Sequence, residues 1–167
     1  RRGRGVDVWL LPVVPGETAR PLLDASYNER DARRSPDGRW IAYVSDESGQ
    51  PEISVRSLAG PRQRDVMSAG GGDQPVWRGD GTELFFVDLK GRLSAVSVRP
   101  AAGGALSFST PVPMKVPPIG PGHNGTQYDV TRDGERIYFR DASPAPPPRE
   151  MSIILGWQGL LARSPGE

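Results

Sequence analysis

Three tight turns in this chain are each followed by a short run whose apolar and polar residues are arranged as in a β-strand. The turns read Ser-Pro-Asp-Gly at residues 35–38, Arg-Gly-Asp-Gly at 78–81 and Thr-Arg-Asp-Gly at 131–134. The runs that follow, at residues 39–44, 82–87 and 135–139, are rich in β-branched and aromatic residues, which favour strands. Asp-Gly suits a tight turn because glycine accepts a positive φ. The chain therefore repeats one small β unit.

The spacing of these units predicts the fold. The turn aspartates Asp37, Asp80 and Asp133 are 43 and 53 residues apart. Periods of about 40–45 residues that carry several short strands are typical of the blades of β-propellers. In the most regular unit, turn signals and apolar runs place four strands, at residues 32–34, 40–44, 52–58 and 62–67. We therefore predict an all-β chain built from four-stranded antiparallel propeller blades.

The other units follow this plan less completely. The second has predicted strands at residues 74–78, 84–88 and 92–98 and an irregular fourth segment, and the last has strands at 127–130, 137–140 and 151–155. Residues 6–13 and 19–23 match only the third and fourth strands of a blade. The predicted parts are therefore a half blade at 1–25, whole blades at 26–69 and 70–116, and an incomplete last blade with a C-terminal closing segment at 117–167.

The number of blades bears on association. About three blades are too few for a closed ring, since closed propellers use about four to eight. An open stack exposes strand edges and apolar faces, and such surfaces promote association. We expect either that the chain is part of a longer protein, or that its open blade faces bind a partner or form a homo-oligomer.

Composition excludes several classes of function. The chain has 167 residues, of which 21 are basic and 20 acidic, so its net charge of +1 provides no overall field that would attract nucleic acid or an anionic membrane. Cysteine is absent, which excludes disulfides and thiolate metal sites. No apolar run approaches the roughly 18–20 residues of a membrane span. We therefore expect neither nucleic-acid binding nor a membrane span in this chain.

Several runs carry a family resemblance: DVWLLP at 7–12, YNER at 27–30, SPDGRWIAYVSDESG at 35–49 and GGG at 70–72. They resemble the TolB-type, WD-like propeller repeats of bacteria, and more narrowly the C-terminal, sensor-like propeller of bacterial serine/threonine protein kinases. SIILGW at 152–157 resembles the closing segment of that group. The resemblance implies a six-bladed ring of which this chain is about half. It also implies a kinase domain elsewhere in the parent protein, and it favours a periplasmic or extracytoplasmic location over a cytoplasmic one.

The chain departs from the family pattern at two positions. Arg34 stands where the family usually has an aromatic residue, and Gly79 replaces the proline of the turn. We therefore expect the inward position of the first blade at Arg34 to be less well packed than its counterpart Trp77.

The sequence contains few residues or motifs that would support catalysis. His123 is the only histidine, no G-x-S-x-G nucleophile elbow is present, and the glycine-rich, catalytic-loop and DFG signatures of kinases are missing. One histidine, no cysteine and no EF-hand spacing predict no metal site and no cofactor. We expect a non-catalytic protein-interaction or sensor module that serves as a scaffold. The alternative is the propeller portion of an enzyme, either the gate of a prolyl-oligopeptidase-like hydrolase or a propeller lyase.

One face of the blades is the better candidate for binding. Strands alternate in direction, so the connection into the first strand of a blade and the connection between its second and third strands share one face. Loops on a rigid scaffold often carry function. We expect a protein partner or a small ligand to bind there. The candidate residues are Tyr27, Asn28, Glu29, Asp46, Glu47, Asp73, Gln74, Lys90, His123 and Asn124.

Overall fold

The computed structural model describes residues 5–59, 64–68, 70–119 and 125–140 and shows a partial β-propeller with antiparallel blades. Within these ranges the only helical element is the short 3₁₀ turn Ala102–Gly104. The strands are β1 (Val8–Leu10), β2 (Arg20–Leu23), β3 (Glu29–Arg34), β4 (Trp40–Ser45), β5 (Glu52–Ser57), β6 (Arg64–Val66), β7 (Asp73–Trp77), β8 (Glu83–Val87), β9 (Leu93–Pro100), β10 (Leu106–Phe108), β11 (Val112–Pro113), β12 (Tyr128–Val130) and β13 (Ile137–Phe139).

The first whole blade is a four-stranded sheet in the order β3-β4-β5-β6. Its second strand, β4, is buried along its whole length, because it has neighbouring strands on both edges and packed blades on both faces. This burial explains why the run is almost continuously apolar instead of alternating. The first strand is longer than the sequence predicts, since it starts at Glu29 and not at Ala32.

The second blade contains β7, β8 and β9, and its outer edge is filled by two short strands. β10 pairs with the end of β9 and β11 pairs with its start, both antiparallel. The eight residues of β9 are long enough to hold both partners. The proline- and glycine-rich stretch that the sequence predicts to be irregular therefore supplies the fourth position of the blade in two pieces.

Two-stranded sheets lie at each end of the described structure. β1 pairs with β2 before the first whole blade, and β12 pairs with β13 after the second. The strand predicted at residues 151–155 lies outside the described residues. The described part of the chain therefore holds two whole blades and two partial ones.

Apolar side chains from consecutive blades form the core. One cluster joins Trp40, Ala42 and Val44 of the first blade to Leu84 and Phe86 of the second. A second cluster joins the opposite face of the second blade to β12 and β13. A third, smaller cluster joins β2 to the first blade. Each blade thus packs one alternate set of strand residues forward and the other set backward, as the period of two requires.

Trp77 and Arg34 occupy equivalent positions in consecutive blades, 43 residues apart. Trp77 is 8% exposed and belongs to the core between the two whole blades, whereas Arg34 is exposed. The arginine is therefore less well packed than its counterpart, as its departure from the aromatic pattern predicts.

The repeat turns contact one another at one end of the blades. A Cβ atom added to Gly79 would lie 2.5 Å from the carbonyl oxygen of Arg132 and 2.8 Å from its Cα. Such distances are too short for any side chain, so the second turn approaches the third more closely than a proline would allow. This contact explains why glycine replaces the turn proline at residue 79.

Candidate interaction face

The connections opposite the repeat turns pack together as one face. We call this the loop face, and it consists of residues 24–28, 46–51, 67–68, 70–72 and 88–92. The backbone NH of Gly72 donates a hydrogen bond to the carbonyl oxygen of Pro51 at 2.8 Å, and Gly71 lies directly against the side chain of Leu89. The face therefore contains connections from both whole blades, at the position that strand alternation predicts.

Asn28 and Asp46 hold two of these connections together. Both the backbone NH and the side-chain amide of Asn28 donate hydrogen bonds to the Asp46 carboxylate, the first at 2.7 Å. The Asn28 side-chain oxygen in turn accepts a bond from the backbone NH of Val6 at 2.9 Å. These bonds to Asn28 lower the pKa of Asp46 because they favour its charged form. The pair fixes the loop that leads into β3 and makes these side chains part of the framework.

An ion pair joins the inner strands of the two whole blades. The two terminal guanidinium nitrogens of Arg30 donate hydrogen bonds to the Asp73 carboxylate, at 2.6 and 3.0 Å, and the same side chain also contacts Asp31. Hydrogen bonding to Asp73 is the main reason that the pKa of Arg30 is raised. Because a bidentate pair fixes orientation as well as distance, it holds the two blades in one register.

Arg30 is not among the candidate residues, although the repeat spacing contains a signal for it. Arg30 and Asp73 are 43 residues apart, which is the repeat spacing. Opposite charges at equivalent positions of consecutive blades therefore indicate a contact between blades.

Two of the candidate binding residues are buried in the structure. Glu29 is 3% exposed and Gln74 is fully buried. The side-chain oxygen of Gln74 accepts a hydrogen bond from the backbone NH of Gln127 at 2.6 Å, and its carbonyl oxygen accepts one from the hydroxyl of Tyr128 at 2.7 Å. Burial raises the pKa of Tyr128 well above its ordinary value. Gln74 thus joins the second blade to β12, a role that no motif or spacing in the sequence indicates.

The exposed side chains of the loop face lie at loop tips. Glu47 and Lys90 are exposed, and Leu89 between the whole blades is 55% exposed. The Asp88 carboxylate accepts hydrogen bonds from the backbone NH groups of Lys90 and Arg92, both at 2.9 Å, so the tip has one defined conformation. Tyr27, Asn28, Asp46 and Asp73 are half-buried, and His123 and Asn124 lie outside the described residues.

A buried carboxylate beneath this face is also not among the candidate residues. Glu52 is 7% exposed and accepts hydrogen bonds from the side-chain amide of Gln50 at 2.8 Å and the hydroxyl of Ser68 at 2.9 Å. The same hydroxyl accepts a bond from the backbone NH of Ile53 at 2.6 Å. Ser68 therefore ties the end of the first whole blade to its third strand and positions the connection that follows.

The described ranges contain no group of three or more His, Cys, Asp or Glu side chains arranged to hold a metal ion. In the same residues there is no helix of the length and apolar character that a bilayer crossing needs.

Comparison with known proteins identifies the fold. No protein-family model and no curated protein sequence matches the chain. A solved structure of a protein assigned as TolB from Agrobacterium tumefaciens is similar, with a TM-score of 0.52 and 18% identity over 81% of this chain and 50% of that one. TolB from Acinetobacter baumannii aligns with a TM-score of 0.43 and 17% identity over 78% of this chain and 42% of that one. This chain thus spans about half the length of these structures, and its fold is that of part of a TolB-type propeller.

Proposed function

We propose that this chain is a non-catalytic protein-interaction or sensor module of a larger bacterial regulatory protein, and that its loop face binds the partner. The observation that carries the proposal is that some side chains of that face fix its connections while others are exposed at the loop tips. Asn28, Asp46, Arg30 and Asp73 lock the connections to one another, while the tips remain exposed. Loops fixed in this way bind at a lower entropic cost than mobile loops, because little order is lost on association.

The exposed tips suit a peptide or protein surface of mixed character. Leu89 provides apolar contact area, Lys90 beside it provides a positive charge, and Glu47 on the neighbouring blade provides a negative one. A partner that places an apolar side chain between an acidic and a basic group would match all three. Charges at the edge of such an interface mainly set specificity and association rate.

The repeat turns at the opposite end are a less suitable surface. Each turn aspartate accepts hydrogen bonds from a hydroxyl and a backbone NH of its own turn, as Asp80 does from Thr82 at 2.7 and 2.9 Å. Their polar groups are therefore already occupied within the turn. The turn end serves as the matched control surface for a binding experiment.

A peptide-display library panned on the immobilised chain tests the proposal. The charge-reversed loop-face variant Glu47→Lys/Lys90→Glu should bind the selected peptides at least about tenfold more weakly, equivalent to about 1.4 kcal/mol, in fluorescence anisotropy. The turn-face variant Arg39→Glu/Glu135→Lys should bind them as the parent chain does. If the turn-face variant weakens peptide binding and the loop-face variant does not, the assignment of the binding face is wrong.

A further inference from the structure

A cavity between the two whole blades opens at the end of the blades that carries the repeat turns. It has a volume of about 240 Å³. It is lined by residues of the first two repeat turns, by Trp40 and Trp77, and by the end of β9 with the connection to β10. All of these segments belong to the two whole blades, so the cavity does not depend on the partial blades at either end of the described structure.

The floor of this cavity is aromatic. Trp40 and Trp77 are 6% and 8% exposed, and Val98, which also lines the cavity, is buried. All three belong to the apolar cluster that joins the two whole blades, so the cavity extends this core toward solvent. Indole rings provide a large apolar contact area, and their electron-rich faces also attract cations. The floor therefore suits the apolar body of a small ligand or a cationic group.

The mouth of the cavity carries two exposed carboxylates, those of Asp37 and Asp80. Oδ1 of Asp37 accepts hydrogen bonds from the hydroxyl of Ser35 at 2.6 Å and from the backbone NH of Arg39 at 3.0 Å, whereas its Oδ2 accepts none from another described residue. Oδ2 of Asp80 lies 3.3 Å from Nε of Arg78, which offsets part of its charge. The turn thus holds the Asp37 carboxylate in place and leaves one of its oxygens available to a ligand.

The charge at the mouth favours a cation. Arg39 is the one cationic side chain of the described lining, and it forms no ion pair with either carboxylate. Asp37 and Asp80 therefore outnumber it, and both are ionised at neutral pH. A positively charged group at the mouth would be attracted to the free oxygen of Asp37, while an anion would be repelled.

The repeat alone does not impose this lining. The corresponding cavity one blade earlier, between β1–β2 and the first whole blade, has Arg34 at the position of Trp77. Its lining also includes Arg20 and Arg56, and no carboxylate of a described residue. The combination of tryptophans with carboxylates therefore distinguishes the cavity between the two whole blades.

We propose that this cavity binds a small organic cation, an amine with an aromatic or short apolar body, whose ammonium group pairs with Asp37 and whose body packs against Trp40 and Trp77. The cavity is smaller than the roughly 300–1,000 Å³ of sites for drug-sized ligands, which favours a ligand of about ten non-hydrogen atoms. It lies at the opposite end of the blades from the loop face, so the proposal stands independently of partner binding there.

Three probes of similar shape and different charge test the proposal on the 167-residue chain. They are the cation 2-phenylethylamine, the neutral 2-phenylethanol and the anion phenylacetate, titrated by nuclear magnetic resonance. The amine should bind with a Kd below about 1 mM and at least about tenfold more tightly than the alcohol, because only the amine pairs with Asp37. Phenylacetate should bind most weakly of the three.

Two variants with a matched control locate the site. Asp37→Asn should weaken binding of the amine about fivefold or more and leave the alcohol unaffected. Ala105→Phe, which places a ring in the cavity, should abolish binding of the amine and the alcohol. The control Asp133→Asn alters the equivalent aspartate of the third turn, which accepts the same hydrogen bonds from its own turn but does not line the cavity, and it should leave binding unchanged. Thermal melts of each variant establish that the fold is retained.

The outcomes separate this site from the loop face. Equal affinity for the amine and the alcohol, no binding of the amine up to about 10 mM, or equal effects of Asp37→Asn and Asp133→Asn would each overturn the proposal. The loop-face variant Glu47→Lys/Lys90→Glu should bind the amine as the parent chain does. A failure of the loop-face proposal therefore leaves the result for the cavity unaffected.

Discussion

The indole NH of Trp77 donates a hydrogen bond to the backbone carbonyl oxygen of Arg33 at 2.9 Å, and this bond joins the inner strands of the two whole blades. The ring of Trp77 also fills the core between these blades, where it is 8% exposed. One side chain therefore both satisfies a backbone acceptor and supplies apolar contact area. A substitution of Trp77 therefore removes both kinds of contact at once.

Replacement of Trp77 by Ala should lower the free energy of unfolding by about 3–5 kcal/mol, because it leaves a large cavity and an unpaired carbonyl group. Trp77→Phe should cost less, since it keeps most of the apolar contact and loses the hydrogen bond. Urea denaturation followed by circular dichroism measures both. A loss near zero for the Ala variant would show that the indole does not hold the blades together.

The ion pair between Arg30 and Asp73 should contribute to stability through its bidentate geometry. The two side chains are 33% and 21% exposed, so solvent screens the pair only in part. A double-mutant cycle with Arg30→Met and Asp73→Asn should give a coupling energy of about 1 kcal/mol, in the upper range for partly exposed pairs. The coupling should shrink in 1 M salt. Additive effects of the two substitutions would mean that the contact between the two side chains contributes nothing to stability.

The repeat was predictable from the sequence because it rests on local signals. The Asp-Gly turns and the runs after Asp37, Asp80 and Asp133 specify hairpins through residues close in the chain, and the structure has strands at each of them. The two pieces β10 and β11 were not predicted, because their pairing with β9 depends on a proline-rich stretch without periodicity. Local pattern thus predicts the hairpins, but it does not predict the outer edge of the second whole blade.

The candidate site was less predictable, for a different physical reason. Position on the loop face follows from strand direction, but exposure depends on which neighbour covers each side chain. Gln74 and Glu29 are polar residues at the ends of connections, yet both are buried. Gln74 has a φ of 58°, and its buried side-chain oxygen accepts a hydrogen bond from the backbone NH of Gln127, 53 residues away and directly before β12. No short-range signal reports such a contact.

The close approach of the turns at Gly79 predicts a position-specific cost. Gly79→Ala should destabilise the chain by about 1–3 kcal/mol, because the new Cβ would meet the backbone of Arg132, which cannot move aside as a side chain could. The matched control is Pro36→Ala at the equivalent position of the first turn, where the change should cost at most about 1 kcal/mol. Thermal melts of both variants provide the comparison. Equal losses of stability would indicate that the turn itself, and not contact between blades, is the reason for glycine at residue 79.

Acid should destabilise this fold through its hydrogen-bonded aspartates. The hydroxyls of Thr82 and Thr131 lower the pKa of Asp80 and of Asp133, respectively. At Asp37, burial raises the pKa, but hydrogen bonds from Ser35 and the backbone of Arg39 outweigh it and the pKa is lowered. Asn28 has the same lowering effect on the pKa of Asp46.

Each of these carboxyls binds a proton more weakly in the folded chain than in the unfolded one. Their contribution to stability is therefore fully present above the ordinary aspartate pKa of about 3.9 and is lost as the pH falls through the lower folded values. Urea midpoints should be nearly constant from about pH 7 to 5 and fall steeply below about pH 4. Asp46→Asn should reduce the steepness of that fall, because one carboxyl no longer takes up a proton on unfolding. A profile of Asp46→Asn identical to that of the parent chain would contradict the assignment to Asp46.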